Sequence, residues 1–350
     1  MKIAQVAPLY ESVPPKLYGG SERVVSYLTE SLVELGHDVT LFASGDSITR
    51  ARLVPGCEGA LRLQGRKVVD PISHHVRLIE TVFQRSAEFD VLHFHIDYLH
   101  FPCARRTPVP TLTTQHGRLD VPDLHPLFEA FPDMNLVSIS DSQRAPIPKA
   151  KWMGTVYHGL PPDLYELGEG SGDYLAFLGR FAPEKRPDVA IEIAKRTGRK
   201  LKIAAKVDPA DREYFKKEIQ PLLQHPLIEV LGEIGEEDKR VFLGDALALL
   251  FPIDWPEPFG LVMIEAMACG TPVIAYPNGS VPEIIEDQKT GFLVSDVEEA
   301  VAAVNRLDTL NRFEIRKVFE NRFSAGRMAL DYLRLFQKIS SKELSPRSGQ

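Results

Sequence analysis

Residues 257–275 read EPFGLVMIEAMACGTPVIA, which places two carboxylates, Glu257 and Glu265, around a glycine turn that opens a helix. The apolar run ALALLFPI before it ends among Pro252, Pro256 and Pro258, and a residue that precedes proline is pushed out of the helical region. Helix therefore begins only after Pro258. Gly260 lets the backbone turn tightly, Leu261 to Cys269 has helical composition, and Gly270 and Pro272 stop it. The first turn of such a helix presents unpaired N–H groups and a positive dipole end, an arrangement that binds phosphate. A carboxylate on each side of that turn can take a pair of hydroxyls flanking the phosphate. A sugar, a diphosphate and a ribose have that layout. A buried helix followed by the strand PVIAY accounts for Val262, Ile264, Met267 and Val273, but it leaves Glu257 and Glu265 unexplained.

Outward from this block, apolar β-type runs alternate with amphipathic helical segments. KIAQVA, a helix over 21–35, DVTLFA, DVLHFH, TLTTQH and LVSIS form the first series. YLAFLG, a helix over 187–197, LKIAAK, a helix over 211–223, IEVLG, ALALLF and PVIAY form the second. Strands buried on both faces read as continuous apolar runs, so both series predict parallel α/β sheets. Periodicity is lost in GLPPDLYELGEGSGD, residues 159–173, the expected interdomain connection. The fold class is α/β, two Rossmann-like parallel-sheet domains facing a central cleft lined by the carboxyl ends of strands. The boundaries are 1–160, 170–323, a terminal helix over 324–340 with apolar Met328, Leu330, Leu333, Leu335 and Phe336, and a frayed tail over 341–350.

A length of 350 residues suits two domains, and 44% hydrophobic with 25% charged residues is ordinary for a globular protein. The net charge of −7, from 41 basic against 48 acidic residues, argues against nucleic acid as a partner and gives no overall pull toward anionic lipid. A local basic patch for peripheral membrane contact stays open. The three cysteines, Cys57, Cys103 and Cys269, form no C-x-x-C pair, which indicates neither a disulfide framework nor a zinc site. No apolar run approaches the roughly 18 residues of a membrane span, and the expected location is the cytoplasm.

Further candidates stand at the ends of predicted strands. YLAFLGRFAPEKRP closes a strand at Gly179 and then carries Arg180 and Lys185, two cations suited to hold a diphosphate opposite the Gly260 turn. In KLYGGSERVV, Gly19 and Gly20 lie between a strand end and a helix expected to be capped by Ser21. His116 follows a strand and precedes Gly117, which directs it toward the cleft. His93, His95 and His100 lack an acidic third ligand at metal spacing, so no metal is expected, and His95 and Asp97 can instead reach an acceptor. His158 with Gly159 reads as a turn, and Glu283 in NGSVPEII as a helix cap in preference to a contact with the nucleotide.

Glu257 and Glu265 with the intervening Pro-Phe-Gly-Leu and trailing Glu-Ala-Met-Ala-Cys-Gly-Thr-Pro resemble the C-terminal signature of the retaining, group 1 glycosyltransferases of family 4, which have the GT-B fold. Gly179, Arg180, Glu184 and Lys185 resemble the family's cationic segment, except that Arg186 stands where a glycine usually follows the lysine. The resemblance covers nearly the whole chain. It implies a nucleotide-sugar donor bound by the second domain, a hydroxyl acceptor bound by the first, and a terminal helix over 324–340 that crosses back onto the first domain. Arg180 and Lys185 would meet the departing diphosphate, Glu257 the sugar hydroxyls and Glu265 the ribose. Phe259, Gly260 and Leu261 would line the donor site, Gly19 and Gly20 would approach the transferred sugar, and His116 would stand beside the sugar ring. It further implies same-face attack, with the leaving phosphate taking the acceptor's proton. No Asp-x-Asp occurs, in keeping with transfer of a hexose without metal or cofactor, UDP-glucose ranking ahead of GDP-mannose. A non-catalytic nucleotide-sugar binder of the same fold is the alternative. A nicotinamide-dependent dehydrogenase ranks last, because the G-x-G-x-x-G fingerprint is missing.

Overall fold

The structure is a computed structural model that describes residues 1–16 and 19–343. Leu17 and Tyr18 of the first glycine loop, and 344–350 of the expected tail, lie outside the described residues. The chain divides into two compact units, one holding Met1–Pro161 and the helix from Ala325 onward, the other Pro162–Ser324.

The first unit is built on seven parallel strands, β1 (Lys2–Val6), β2 (Asp38–Ser44), β3 (Arg52–Cys57), β4 (Val91–Phe94), β5 (Thr111–Thr114), β6 (Leu136–Ser138) and β7 (Trp152–Thr155). Their spatial order is β3-β2-β1-β4-β5-β6-β7. The continuous apolar strands are explained by burial on both faces, as in Ile3, Ala4 and Val6, none of which is exposed. Ala4, Val6, Leu92 and Phe94 share one core with Leu78, Ile79 and Val82 of the helix Pro71–Gln84. Alternation along the strands sends Gln5 and His93 to the other face. There the terminal helix Ala325–Glu343 brings Tyr332 and Phe336, whose rings lie 4.7 and 5.3 Å from His93, and Tyr332 shares a 2.9 Å hydrogen bond with Thr114 Oγ1. That helix buries Met328, Leu333, Phe336 and Ile339, while Leu330 stays 46% exposed outside the stripe. It runs to Glu343, three residues into the segment expected to fray.

Two local expectations are corrected. The first long helix, α1, spans Gly20–Glu34 with Gly19 at the N-cap and no side-chain cap, so Ser21 lies inside the first turn instead of capping it. Gly19 supplies only its carbonyl, which accepts from Arg23 N at 3.1 Å. His158 and Gly159 form no turn; His158 is buried just beyond β7 and stacks on His116 at 5.3 Å.

The second unit carries six parallel strands, β8 (Tyr174–Arg180), β9 (Lys200–Lys206), β10 (Ile228–Val230), β11 (Ala248–Phe251), β12 (Val273–Ala275) and β13 (Gly291–Leu293), in the order β10-β9-β8-β11-β12-β13. The helices used below are α2 (Pro187–Thr197), α3 (Glu236–Gly244), α4 (Leu261–Ala268) and α5 (Arg312–Arg322). The helix expected over 211–223 is broken into Arg212–Tyr214, a π turn over Phe215–Ile219 and a 3₁₀ turn over Gln220–Leu223. Pro221 explains it: proline lacks the N–H that would continue the ladder, and its ring clashes with the carbonyl one turn back. From α5, Arg312 donates to the carbonyls of Gly168, Ala246, Gly244 and Cys269 and to Thr271 Oγ1, which fixes loops that carry no regular pairing of their own.

In each sheet the connections diverge between two neighbouring strands, β1 and β4 in one and β8 and β11 in the other. The loops leaving those carboxyl ends part and open a crevice, the usual ligand position in open parallel sheets. Gly19, His95 and His116 follow β1, β4 and β5; Arg180 and Lys185 follow β8, and Glu257 follows β11.

Burial holds His93, His95, His100, His116 and His158 of the first unit neutral. His116 is pushed down to about 4 and His100 to about 3, while His93, His95 and His158 fall well below the ordinary histidine value. Because these folded values are lowered, the unfolded chain binds protons that the folded chain refuses. Stability is then complete above about pH 6.5 and is lost as pH falls from there toward about 4, by up to about 1.4 kcal/mol per pH unit for each fully buried ring. The urea midpoint should therefore drop between pH 7 and pH 5; an unchanged midpoint would contradict neutral, buried rings.

Candidate functional site

At the end of β8 the chain enters a 3₁₀ turn, Pro183–Lys185, and leaves it through Arg186 at φ 51°. A glycine takes this left-handed conformation without strain, which is a physical reason for the glycine usual at this position. Here the strain is offset by contacts of the arginine, bonded to Asp188 at 2.9 Å and within 3.5 Å of Asp254.

The two cations of the segment do not stand as an open pair. Arg180 turns toward the loop after β9, where its guanidinium meets Glu184 at 2.6 Å, Asp211 at 2.8 Å and Asp208 at 3.3 Å. Lys185 turns toward the loop after β11 and forms an ion pair with Glu257 Oε2. Its ammonium lies 4.9 Å from the Trp255 ring centroid and 5.7 Å from that of Phe251, a cation held over two aromatic faces. Trp255 Nε1 donates to the same Oε2 at 2.8 Å. Both protein contacts of the Glu257 carboxylate thus fall on one oxygen, and Oε1 has no hydrogen-bond or ion-pair partner among the described residues.

Glu257 is only 9% exposed, and its backbone is held as firmly as its side chain. Ser280 N donates to Glu257 O at 2.9 Å, Ser280 Oγ to Phe259 O at 2.9 Å and Asn278 Nδ2 to Ile253 O at 2.7 Å, so the loop after β12 clamps the loop after β11. Gly279 makes the approach possible. It lies at φ 62°, and a Cβ there would stand 2.3 Å from Glu257 N. Glu283 lies inside the short helix Val281–Ile284, whose N-cap position Ser280 occupies, so Glu283 is not its cap.

Beyond the bend, Gly260 caps α4 at φ 75° and accepts from Met263 N at 3.0 Å, which leaves the N–H groups of Leu261 and Val262 without a partner among the described residues. Leu261 is partly exposed at this end. Phe259 is 2% exposed and packs edge-on against Phe323, which leaves only its backbone for a ligand. Glu265 is 4% exposed and bonds through Oε1 to Lys239 Nζ on α3 at 2.9 Å. Lys239 also stands 3.7 Å from Glu236.

In the first unit, a relay of polar side chains crosses the carboxyl edge of three adjacent strands. Gln5 Oε1 of β1 stands 2.9 Å from His95 Nε2, and His95 Nδ1 stands 2.9 Å from His116 Nε2. His93 bonds Thr114 at 2.8 Å and lies with its ring 4.2 Å from that of His95. Asp97 takes a left-handed conformation, φ 53°, just past β4. Among the described residues no three His, Cys, Asp or Glu side chains are grouped so as to hold a metal ion.

Comparison with known proteins now bears on this geometry. Residues 18–152 match the family described as Glycosyltransferase Family 4, and residues 167–322 match Glycosyl transferases group 1. The chain is a group 1, family 4 glycosyltransferase. Spore coat protein SA of Bacillus subtilis is 24% identical over 397 residues, 97% of this chain and 100% of that one. An uncharacterized glycosyltransferase of Methanocaldococcus jannaschii is 27% identical over 199 residues, 53% of each chain. Among solved structures, sucrose-phosphate synthase of Thermosynechococcus elongatus superposes with a TM-score of 0.79 at 19% identity, covering 98% of this chain and 100% of that one, which supports the GT-B fold.

Three residues of the candidate site escape a reading of the sequence. Trp255 and Gly279 act on Glu257, and Lys239 acts on Glu265. The signal for Gly279 was present in the Asn-Gly-Ser turn, but its partner lies more than twenty residues away. Trp255 and Lys239 carried no signal, because neither spacing nor composition joins them to their carboxylates.

Replacing Trp255 with Phe keeps an aromatic face for Lys185 and removes the N–H, so sugar transfer should fall by roughly tenfold, the scale of about 1.5 kcal/mol for one charge-assisted hydrogen bond. Equal turnover in steady-state assays of the two proteins would refute orientation of Glu257 by Trp255. Gly279→Ala should lose more, since both the left-handed backbone and the contact with Glu257 are disrupted. A Gly279→Ala protein with wild-type turnover and melting point would show that the clamp is dispensable.

Proposed function

We propose that the enzyme moves a hexose from a nucleoside diphosphate sugar, UDP-glucose ahead of GDP-mannose, to a hydroxyl acceptor, with retention at the anomeric carbon and without metal. The observation that carries this reading is Glu257, a nearly buried carboxylate with one oxygen bonded to Lys185 and Trp255 and the other, near Gly260, without a partner among the described residues. The free oxygen suits a sugar hydroxyl. Lys185 and the first-turn N–H groups suit the diphosphate, and they stabilise charge as it develops on the leaving group. Arg180 joins them only by giving up part of its bonding to Glu184, Asp208 and Asp211, so its contribution is smaller than that of Lys185. Glu265 suits the ribose, one of its oxygens being anchored on Lys239. The first unit, with Gly19, Gly20 and His116, receives the acceptor and the sugar.

In the transfer, the bond from the anomeric carbon to the phosphate oxygen breaks and its electron pair stays on the phosphate. The acceptor oxygen attacks from the same face, and its proton passes to the leaving phosphate, so no protein base is consumed. Anabaena HepE, whose structure was solved with UDP-glucose, has a TM-score of 0.72 to this chain at 15% identity over 97% of it, which favours that donor. The free thiols of Cys57, Cys103 and Cys269 suit a cytoplasmic setting, and no described helix is long and apolar enough to cross a membrane.

Lys185→Ala and Glu257→Ala should each lower kcat by about 10²–10³, the scale for loss of one transition-state stabiliser, with the fold intact by circular dichroism. The assay follows labelled UDP-glucose and GDP-mannose in the presence of chelator, with transfer and hydrolysis scored separately and the product anomer read by NMR. Near-wild-type rates for both variants would defeat the site. An inverted product would defeat the same-face step.

A further inference from the structure

The short helix Asp141–Arg144 follows β6 and opens on Ser140, whose Oγ accepts from Gln143 N at 3.0 Å and fixes the backbone there. The Gln143 side chain is buried and reaches back to the loop after β5. Its Oε1 accepts from Ile139 N at 2.9 Å, and its Nε2 donates to Gln115 O at 2.9 Å and to Gly117 O at 2.8 Å. Backbone alone decides which way this amide faces, because an N–H only donates and a carbonyl only accepts; the reversed amide would set N–H against N–H and oxygen against two oxygens. Both amide hydrogens are thereby used. β5 ends at Thr114, so the two bonded carbonyls lie past the regular ladder, one on each side of His116. Gly117 makes this loop soft, since a Cβ there would meet nothing within 4 Å and the glycine backbone turns freely.

We propose that Gln143 is a positioning residue for sugar transfer, setting the peptide planes before and after His116 so that its ring keeps one placement at the carboxyl edge of the sheet. The proposal rests on the sugar-transfer reading for its effect on turnover, but not for its effect on the loop. Other contacts brace the ring without fixing those planes. His158 stacks on it at 5.3 Å with planes 20° apart, and Arg327 of the terminal helix donates to the carbonyls of Tyr157 and His158 at 2.7 and 3.0 Å. Without the amide, two carbonyls and one N–H lose their partner at once, and a loop softened by Gly117 shifts to find others. A displacement of about 1 Å near a reacting centre costs up to about 10²-fold in rate. On the proposed reading the donor is gripped by Lys185, Glu257 and Glu265 of the second unit, so a misplaced His116 lowers kcat and leaves KM for the donor nearly unchanged.

Gln143→Met keeps the length of the side chain and removes all three hydrogen bonds. It should lower kcat with UDP-glucose about tenfold while KM stays within about threefold, and in a His116→Ala background, where there is no ring to place, it should cost less than about twofold more. Equal losses in the two backgrounds would overturn the proposal, since a clamp that is merely structural acts with or without the ring. Should Gln143→Met fold poorly, Gln143→Glu, which keeps an acceptor for Ile139 N and loses both donors, enters the same cycle. A second arm needs no substrate: ¹H–¹³C spectra of the ligand-free, histidine-labelled enzyme at neutral pH, assigned with His116→Ala. The ring signals of His116 should shift or split in the Gln143 variant, while those of His75, held by Leu9 N and Pro71 O, stay in place. Unmoved His116 signals would overturn the proposal whatever the donor proves to be. If the wild-type enzyme neither binds nor turns over UDP-glucose or GDP-mannose while the signals respond, the donor reading fails and the placement of His116 by Gln143 stands.

Discussion

Glu257 lies where a charge is expensive to keep, nearly out of water and with its backbone pinned by the neighbouring loop. A buried carboxylate that loses its only cation costs about 3–5 kcal/mol, so the partner on Lys185 is not optional. The Trp255 N–H on the same oxygen makes the geometry one-sided, with one face of the carboxylate committed to the protein and the other open. Much of the second unit can be understood as support for this contact. The two strand ends that carry Lys185 and Glu257 leave adjacent strands at the point where the connections part, and Gly279 lets a third loop close on the Glu257 backbone.

The first unit solves a related problem with neutral groups. Gln5, His93, His95, Thr114 and Tyr332 form a polar layer inside a sheet whose other face carries the apolar core of Ala4, Val6, Leu92 and Phe94. Such a layer holds together only when its donors and acceptors match, and Tyr332, delivered by the terminal helix, supplies one of the matches at Thr114. Chain order alone does not place that helix in the first unit; the family resemblance does. Its aromatic stripe makes sense once His93 and Thr114 are seen to need a cover.

Periodicity alone made the two α/β series legible, because strands buried on both faces cannot be written in any other composition. The turn at Gly260 and the carboxylates around it were equally legible, since proline and glycine fix where a helix can start. What the sequence withheld was pairing. Arg180 and Lys185 read as one clamp, yet they face different loops, because which carboxylate reaches a flexible cation depends on loops folding together from β8, β9 and β11. The helix cap at Ser21 failed for a nearer reason: Gly19 already occupies the cap position, so the hydroxyl falls two residues too late. The break near Pro221 was written in the chain but was outweighed by the apolar spacing around it.

The pairing has a consequence for selectivity. A lone phosphate that drew Lys185 away would strand the Glu257 carboxylate without its cation, and a neutral sugar that bound Glu257 would leave Lys185 satisfied and the helix N-terminus empty. Neither half-ligand gains much, because each is set against the ion pair it disturbs or leaves unused. A molecule that carries an anion and hydroxyls side by side replaces both partners at once, giving Lys185 a phosphate and Glu257 a hydroxyl in the same step. On the proposed reading the resident ion pair would act as a filter built from the same two groups that would hold the ligand, and discrimination would follow from unpaired charge in the wrong complexes as much as from contacts in the right one.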